Sequence, residues 1–331
     1  MKQRLRMLAV VVALISGSMV LGQTSEIKLD APQPKITTVS AMRVRRGPSV
    51  QTEEVTRLKI GTVVDALTRS TVEDTVAGKT DFWYSFKLQN GETGWVFGGL
   101  LLDYSSQRHN QLVQQIIEAR LKVEDPAFSD VAEIYNLAAA EVSKSKDVNT
   151  RAQFELLKLL ALARWATTVP DNWRDKSSYR DWHKAHDAEV IPNEFGGGYN
   201  LRTELLWQLE RKYPMLPIAD RIAWEAAENP RPSDCEGDEV CYFYLYDGAI
   251  KYLSLHPGGT HAVEAIKGLT EALTDEVIQR ANSKDPDKYA VEERVELRKM
   301  FASLRLALAK VSASEKAQLL RKLDRINSVQ R

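Results

Sequence analysis

The chain of 331 residues carries 45 Lys and Arg against 45 Asp and Glu, with 44% hydrophobic residues and only two cysteines. A charge this evenly balanced argues against nucleic acid as a partner, because such binding rests on a basic surface. The length predicts two domains, and no cofactor is expected.

Lys2, Arg4 and Arg6 precede an apolar run from Met7 to Ile15, which is followed by Ser16-Gly17-Ser18 and Val20-Leu21-Gly22. This is the pattern of a secretory signal peptide over residues 1–22, cut between Gly22 and Gln23. The run is shorter than the roughly 20 apolar residues a membrane helix needs, and no later segment is long enough. The mature chain is therefore expected to be exported, periplasmic or secreted, slightly acidic, and without a stable membrane span. No cysteine follows the run, which argues against a lipid anchor. Residues 23–34 read as a linker.

Residues 35–104 read as β structure. Lys35 to Ser40 begins a strand, and Met42-Arg43-Val44 alternates outward and inward before Gly47-Pro48 breaks it. Val55 to Leu58 leads into Gly61, and Thr62 to Leu67 is a second β-rich run. Trp83 to Leu88 pairs with Gly94 to Phe97 across Asn90-Gly91, a strong hairpin signal. The polar segment from Thr68 to Asp81 reads as a long mobile loop. Together these elements predict a small closed β-barrel.

These residues resemble the bacterial SH3 domain family, whose pattern runs Leu-Asn-Val-Arg-x-Gly-Pro, a Gly-Thr step, Trp-Tyr-x-Val and Gly-x-x-Gly-Trp-Val. Met42 to Pro48, Gly61-Thr62, Trp83 to Phe86 and Gly91 to Val96 follow that order, with Arg43 in place of the Asn and Phe86 in place of the Val. The resemblance implies an SH3-like barrel that holds cell-wall peptidoglycan or an envelope protein. Ligand-binding candidates are Tyr84, Trp83, Trp95, Arg43, Arg45 and Arg46, since aromatic faces stack on sugars and guanidinium groups pair with the carboxylates of wall peptides. Strand alternation sets Tyr84 opposite Trp83 and makes it the surface candidate. For Trp83 and Trp95 the competing role is core packing. Arg45, beside the Gly-Pro turn, has the competing role of satisfying loop carbonyls.

From Ser105 the apolar period shifts to about 3.6, which predicts an all-α region over 105–331, either a bundle or a helix-hairpin array. Leu112, Ile116 and Leu121 line a first helix, and Ser129 is expected to cap a second through Val131, Ile134 and Leu137. A third, at about 150–167, is apolar nearly all round from Leu156 to Ala166 and belongs at the centre. Further helices are predicted at about 201–213, 217–228, 240–255, 261–281, 288–311 and 314–327. Leu297, Phe301, Leu304, Leu308 and Val311 stand at a 4-3-4-3 spacing that demands a partner helix. The stretch from Tyr252 to Ile266 resembles a tetratricopeptide-type junction, although no such repeat runs through the region.

Four candidate chemistries lie in this region. Cys235 and Cys241 read as a disulfide in an oxidising compartment, and zinc is a poor alternative with no further cysteine. Asp234-Cys235-Glu236-Gly237 resembles the nucleophile turn of cell-wall cysteine peptidases of the NlpC type, but the chemistry needs a histidine-activated thiolate. His256 and His261 stand in another helical hairpin. His183 and His186 share a helix face and with Asp187 suggest a metal set, against which a charged surface helix competes. Glu194, before a glycine-rich run, resembles the single acid of helical transglycosylases, without the Ser that family places after it. The sequence reads best as a non-enzymatic, exported envelope binding or scaffold protein. The alternatives are a cell-wall hydrolase with its active site in the helical region, and a barrel that only braces the helices.

Overall fold

The computed structural model describes residues 26–170, 172, 176–193, 197–229, 235–283 and 291–327. The signal sequence expected over 1–22 lies outside the described residues, as do Glu194 and Asp234. The β region comprises β1 (Glu26–Thr37), β2 (Met42–Arg45), β3 (Glu54–Leu58), β4 (Val63–Ser70), β5 (Asp74–Val76), β6 (Lys79–Asp81), β7 (Trp83–Lys87), β8 (Thr93–Phe97) and β9 (Leu101–Asp103). Seven of these form one antiparallel sheet in the order β3-β2-β8-β7-β4-β1-β9, and β5 and β6 form a separate hairpin. The sheet is open, with β3 and β9 as its edges, so the closed barrel expected from the sequence is not what the strand pairing gives.

Two segments differ from expectation. Residues 26–34, expected as linker, are the first part of β1, which pairs with β4 from Glu26↔Ser70 through Lys28↔Thr68 and, after a register shift, again from Gln33↔Ala66. Almost every side chain there faces water, so the strand is held by ladder hydrogen bonds and leaves no apolar alternation to read. The expected mobile loop after Thr68 instead continues β4 and then folds back as the β5–β6 hairpin, with Val76 packed on the sheet. The Asn90-Gly91 hairpin forms as read, with Leu88 N–H donating to the Glu92 carbonyl at 2.9 Å.

The helical region comprises α1 (His109–Leu121), α2 (Phe128–Lys144), α3 (Val148–Thr167) and α4 (Ser177–His186), a small hairpin of β10 (Val190–Pro192) and β11 (Tyr199–Leu201), and then α5 (Thr203–Lys212) and α6 (Ala219–Ala227). It continues with α7 (Glu239–Tyr244), α8 (Asp247–Leu255), α9 (Ala262–Ala272), α10 (Asp275–Asn282), α11 (Val291–Lys310) and α12 (Lys316–Asn327). The core divides at α3. Phe154, Leu157 and Ala161 face a cluster with α1 and α2, while Ala152, Leu156, Leu162 and Ala166 face the larger cluster that reaches α12. The all-round apolar run thus sits at the centre, as its pattern requires. The 4-3-4-3 stripe of α11 is buried at every position and packs on α8.

Three boundaries shift. Ser129 lies inside the first turn of α2, whose N-cap is Ala127, so it caps nothing. The predicted helix at about 240–255 breaks into α7 and α8, and that at about 261–281 breaks into α9 and α10, where Thr274 accepts from Val277 N–H as a new N-cap. The β10–β11 hairpin explains part of the glycine run. Gly198 has φ +69, and a Cβ there would stand 2.9 Å from the Val169 carbonyl and 3.1 Å from that of Ala166, so glycine lets the hairpin lie against the end of α3.

The sheet and helices share a core. Ile36 of β1 and Ile60, both buried, join Val113, Ile117, Ile134 and Phe154 in one cluster. Polar contacts seal the junction: Ile60 N–H donates to Glu133 at 3.1 Å, and Ser40 donates to the Asp130 carbonyl at 3.3 Å. Nearby, Tyr104 hydroxyl and His109 Nδ1 are 3.2 Å apart, and His109 Nε2 lies 3.0 Å from the buried Glu141 carboxylate.

Cys235 and Cys241 pair as a disulfide, with Cα atoms 5.4 Å apart, around a loop in which Asp238 caps α7 through Val240 and Cys241 N–H. Closing so short a loop restricts the unfolded chain, so Cys235→Ser is expected to cost about 2 kcal/mol in denaturant melts, and the unreduced protein to titrate no free thiol.

Candidate functional site

The six residues singled out on the β region fall on two faces of the sheet. Tyr84 faces the inner cluster of Met42, Val44, Val64, Phe86 and Val96, half-buried, with Lys35 Nζ 4.6 Å from its ring centre. It is therefore opposite Trp83, as alternation requires, yet most of its ring is packing surface. Trp83 and Trp95 are 3% and 7% exposed and pack with Phe97 under the β5–β6 hairpin, and Trp83 Nε1 donates to Asp74 at 2.9 Å. Arg45 is the register partner of Trp95 and donates to the Thr52 carbonyl at 2.6 Å, the loop-satisfying role that competed for it. Arg46 pairs with Glu53 at 2.8 Å, and Arg43 lies 3.3 Å from Glu54. These placements do not gather the six side chains around one recess.

A recess does exist where the sheet fails to close. Between β3 and β4 lies a groove of about 880 Å³. Its floor is Val64 and Phe86, members of the sheet's inner cluster, and its walls include Val55 and Leu58 on one side and Val63 and Leu67 on the other. Arg57, Lys87 and Asp65 stand at the rim. Val63 is 40% exposed, and β3 pairs with β2 alone, so one edge of β3 faces the groove side unpaired with any described strand. Arg57 of the rim hydrogen bonds to Glu54, outside the groove lining, and holds that carboxyl below its ordinary value. An apolar trough beside a free strand edge suits an extended peptide, whose backbone pairs with the edge while alternate side chains enter the trough. The sequence signal for this groove was present in Val55, Leu58 and Val63, but only the open sheet turns them toward one opening.

The catalytic and metal candidates resolve differently. Cys235 is held in the disulfide, so its thiol is not a free nucleophile. His256 lies 3.3 Å from the buried Glu210, and His261 stacks on Trp224 with ring centres 4.6 Å apart. His186 turns into an aromatic cluster of Tyr135, Trp165 and Trp182 and binds Glu189 at 2.6 Å, whereas His183 faces Tyr199 and lies 3.5 Å from Asp187. Among the described residues no group of three or more His, Cys, Asp or Glu is placed to hold a metal ion. Among them, too, no helix is long and apolar enough to cross a membrane.

No family model, no curated protein and no solved structure matches the chain.

Proposed function

We propose that the chain is an exported, non-enzymatic binding and scaffold protein of the cell envelope. In this reading the β region is an SH3-like module that takes an extended peptide, from peptidoglycan or an envelope protein, along the open edge of β3, and the helical region presents a second protein-binding surface. The observation that carries it is the groove of about 880 Å³ beside an unpaired strand edge, floored by the sheet's own apolar core. The ordered run from Met42 to Val96 that resembles the bacterial SH3 family supports the same reading. It moves the ligand site away from Tyr84, Trp83, Trp95 and the Arg43–Arg46 cluster, most of which spend their polar or aromatic surface on neighbouring protein.

Co-sedimentation of the full chain with purified peptidoglycan tests it. Val63→Glu places a charge in the trough at an exposed position and is expected to reduce the bound fraction about tenfold, with circular dichroism unchanged. Arg46→Ala, outside the groove, is expected to bind as the wild type does. If the wild type does not sediment with peptidoglycan, or Val63→Glu sediments equally well, the groove is not the binding site for cell wall.

A second reading is favoured by the shared core: the β region braces the helices through Ile36 and Ile60 and binds nothing. In that case no groove variant changes any binding, and only stability responds to substitution.

A further inference from the structure

A second groove, of about 500 Å³, lies among α6, α7, α8 and α9. Its construction begins with small residues. Ala227, Ala249 and Ala265 are buried on its lining, and Gly268 of α9 lies under the ring of Tyr246, where a Cβ would stand 2.7 Å from Cε1. The helices therefore keep a depression instead of filling it. Trp224, Tyr242 and Tyr246 line that depression. Trp224 is fixed from behind by the stacked ring of His261, whose Nδ1 is 3.0 Å from Glu264. Tyr242 is 50% exposed on this lining, so its ring is open to a ligand.

Charge sets the choice of ligand. Glu228, Glu264 and Glu271 line the groove, and Lys267 is the cation among its lining residues. Burial, and then repulsion from Glu264 and Glu225, pushes the Glu228 carboxyl above its ordinary value, so its charged form gains from a cation brought beside it. Aromatic faces attract cations through their quadrupole, and carboxylates beside them add a full charge of the same preference. An anionic partner would be repelled. A neutral one would bring no opposite charge to them.

We propose that this groove binds a lysine- or arginine-bearing segment of a partner protein, its cationic side chain lying against Trp224, Tyr242 and Tyr246 and paired with Glu228, Glu264 and Glu271. This rests on the scaffold role proposed for the helical region and specifies the chemistry of its partner.

Fluorescence anisotropy of the full chain with dye-labelled hexalysine, hexaglutamate and a glycine-serine peptide tests it. Hexalysine is expected to bind saturably and the other two not, with affinity falling about tenfold in the triple variant Glu228→Gln, Glu264→Gln, Glu271→Gln and about fivefold in Tyr242→Ala. Glutamine keeps the size of each glutamate, and Glu264, Glu271 and Tyr242 are exposed, so the variants should fold, and circular dichroism verifies this. Val63→Glu is expected to bind hexalysine normally, which separates this groove from the one beside β3. Hexalysine affinity unchanged in the triple variant, or no preference of the wild type for hexalysine over hexaglutamate, overturns the proposal.

Discussion

Ile36→Ala is expected to destabilise the whole chain by about 2–5 kcal/mol, the range for truncating a fully buried aliphatic side chain and leaving a cavity. Ile36 is 0% exposed, and its neighbours include Val113, Ile117 and Phe154, which belong to α1 and α3 and not to the sheet. The lost contacts are thus split between two regions that the sequence reads as separate domains. If the junction couples them, amide hydrogen exchange in β1 and β4 and in α1 and α3 rises together in the variant, and chemical denaturation of the wild type shows one transition by every probe. Exchange that rises in the strands alone would show that the sheet folds independently and only rests on the helices. The result also governs how function is tested. A fragment that begins at Tyr104 would leave the Ile36 and Ile60 side of this cluster uncovered, so binding and activity assays need the full chain.

The parts of this fold that were legible in the sequence are those fixed by local chemistry or by an unbroken period. Asn90-Gly91 announces its hairpin, the apolar run from Leu156 to Ala166 announces a central helix, and the Leu297 to Val311 stripe announces a buried one. What stayed hidden depends on partners distant in sequence. The first half of β1 buries almost nothing and exists because β4 offers it a ladder. The breaks between α7 and α8 and between α9 and α10 carry no proline, and they follow from packing that a helical period does not encode. Both grooves belong to this second group. Val55 and Val63 look like ordinary strand residues until the missing closure between β3 and β4 brings them to one opening, and Tyr242 looks like a helix residue until it is seen to line one depression with Tyr246 and Gly268. The arginines of the Gly-Pro turn are a different case: residue type suggests a ligand, and it does not reveal that Arg45, Arg46 and Arg43 also meet Thr52, Glu53 and Glu54 within the fold.

Asp220→Asn is expected to cost about 1–3 kcal/mol at neutral pH and to change the acid limb of stability. Asp220 is the node that ties α6 to the turn between α8 and α9. It accepts the Tyr252 hydroxyl at 2.7 Å, the Thr260 N–H at 3.0 Å and the Thr260 hydroxyl, while the His261 N–H donates to the Tyr252 oxygen at 3.0 Å. Burial works against ionisation of Asp220, but the hydrogen bonds from Thr260 and Tyr252 outweigh it and hold the carboxyl below its ordinary value. Burial, and then the bond to Asp220, push the phenol of the fully buried Tyr252 upward, so it stays a donor at every pH of interest. A carboxyl depressed on folding contributes stability that is complete above its unfolded value, about 3.9, and disappears as pH falls through the lower folded value. The stability difference between wild type and Asp220→Asn should therefore be constant from neutral pH to about 5 and shrink below about 4. Tyr252→Phe removes the shared bond, so a double-mutant cycle with Asp220→Asn should show a coupling of about 1 kcal/mol. A difference that stays flat to about pH 2.5, or a cycle that is purely additive, would mean that the turn is held by apolar packing of Tyr252 and that its hydroxyl and Asp220 contribute nothing to each other.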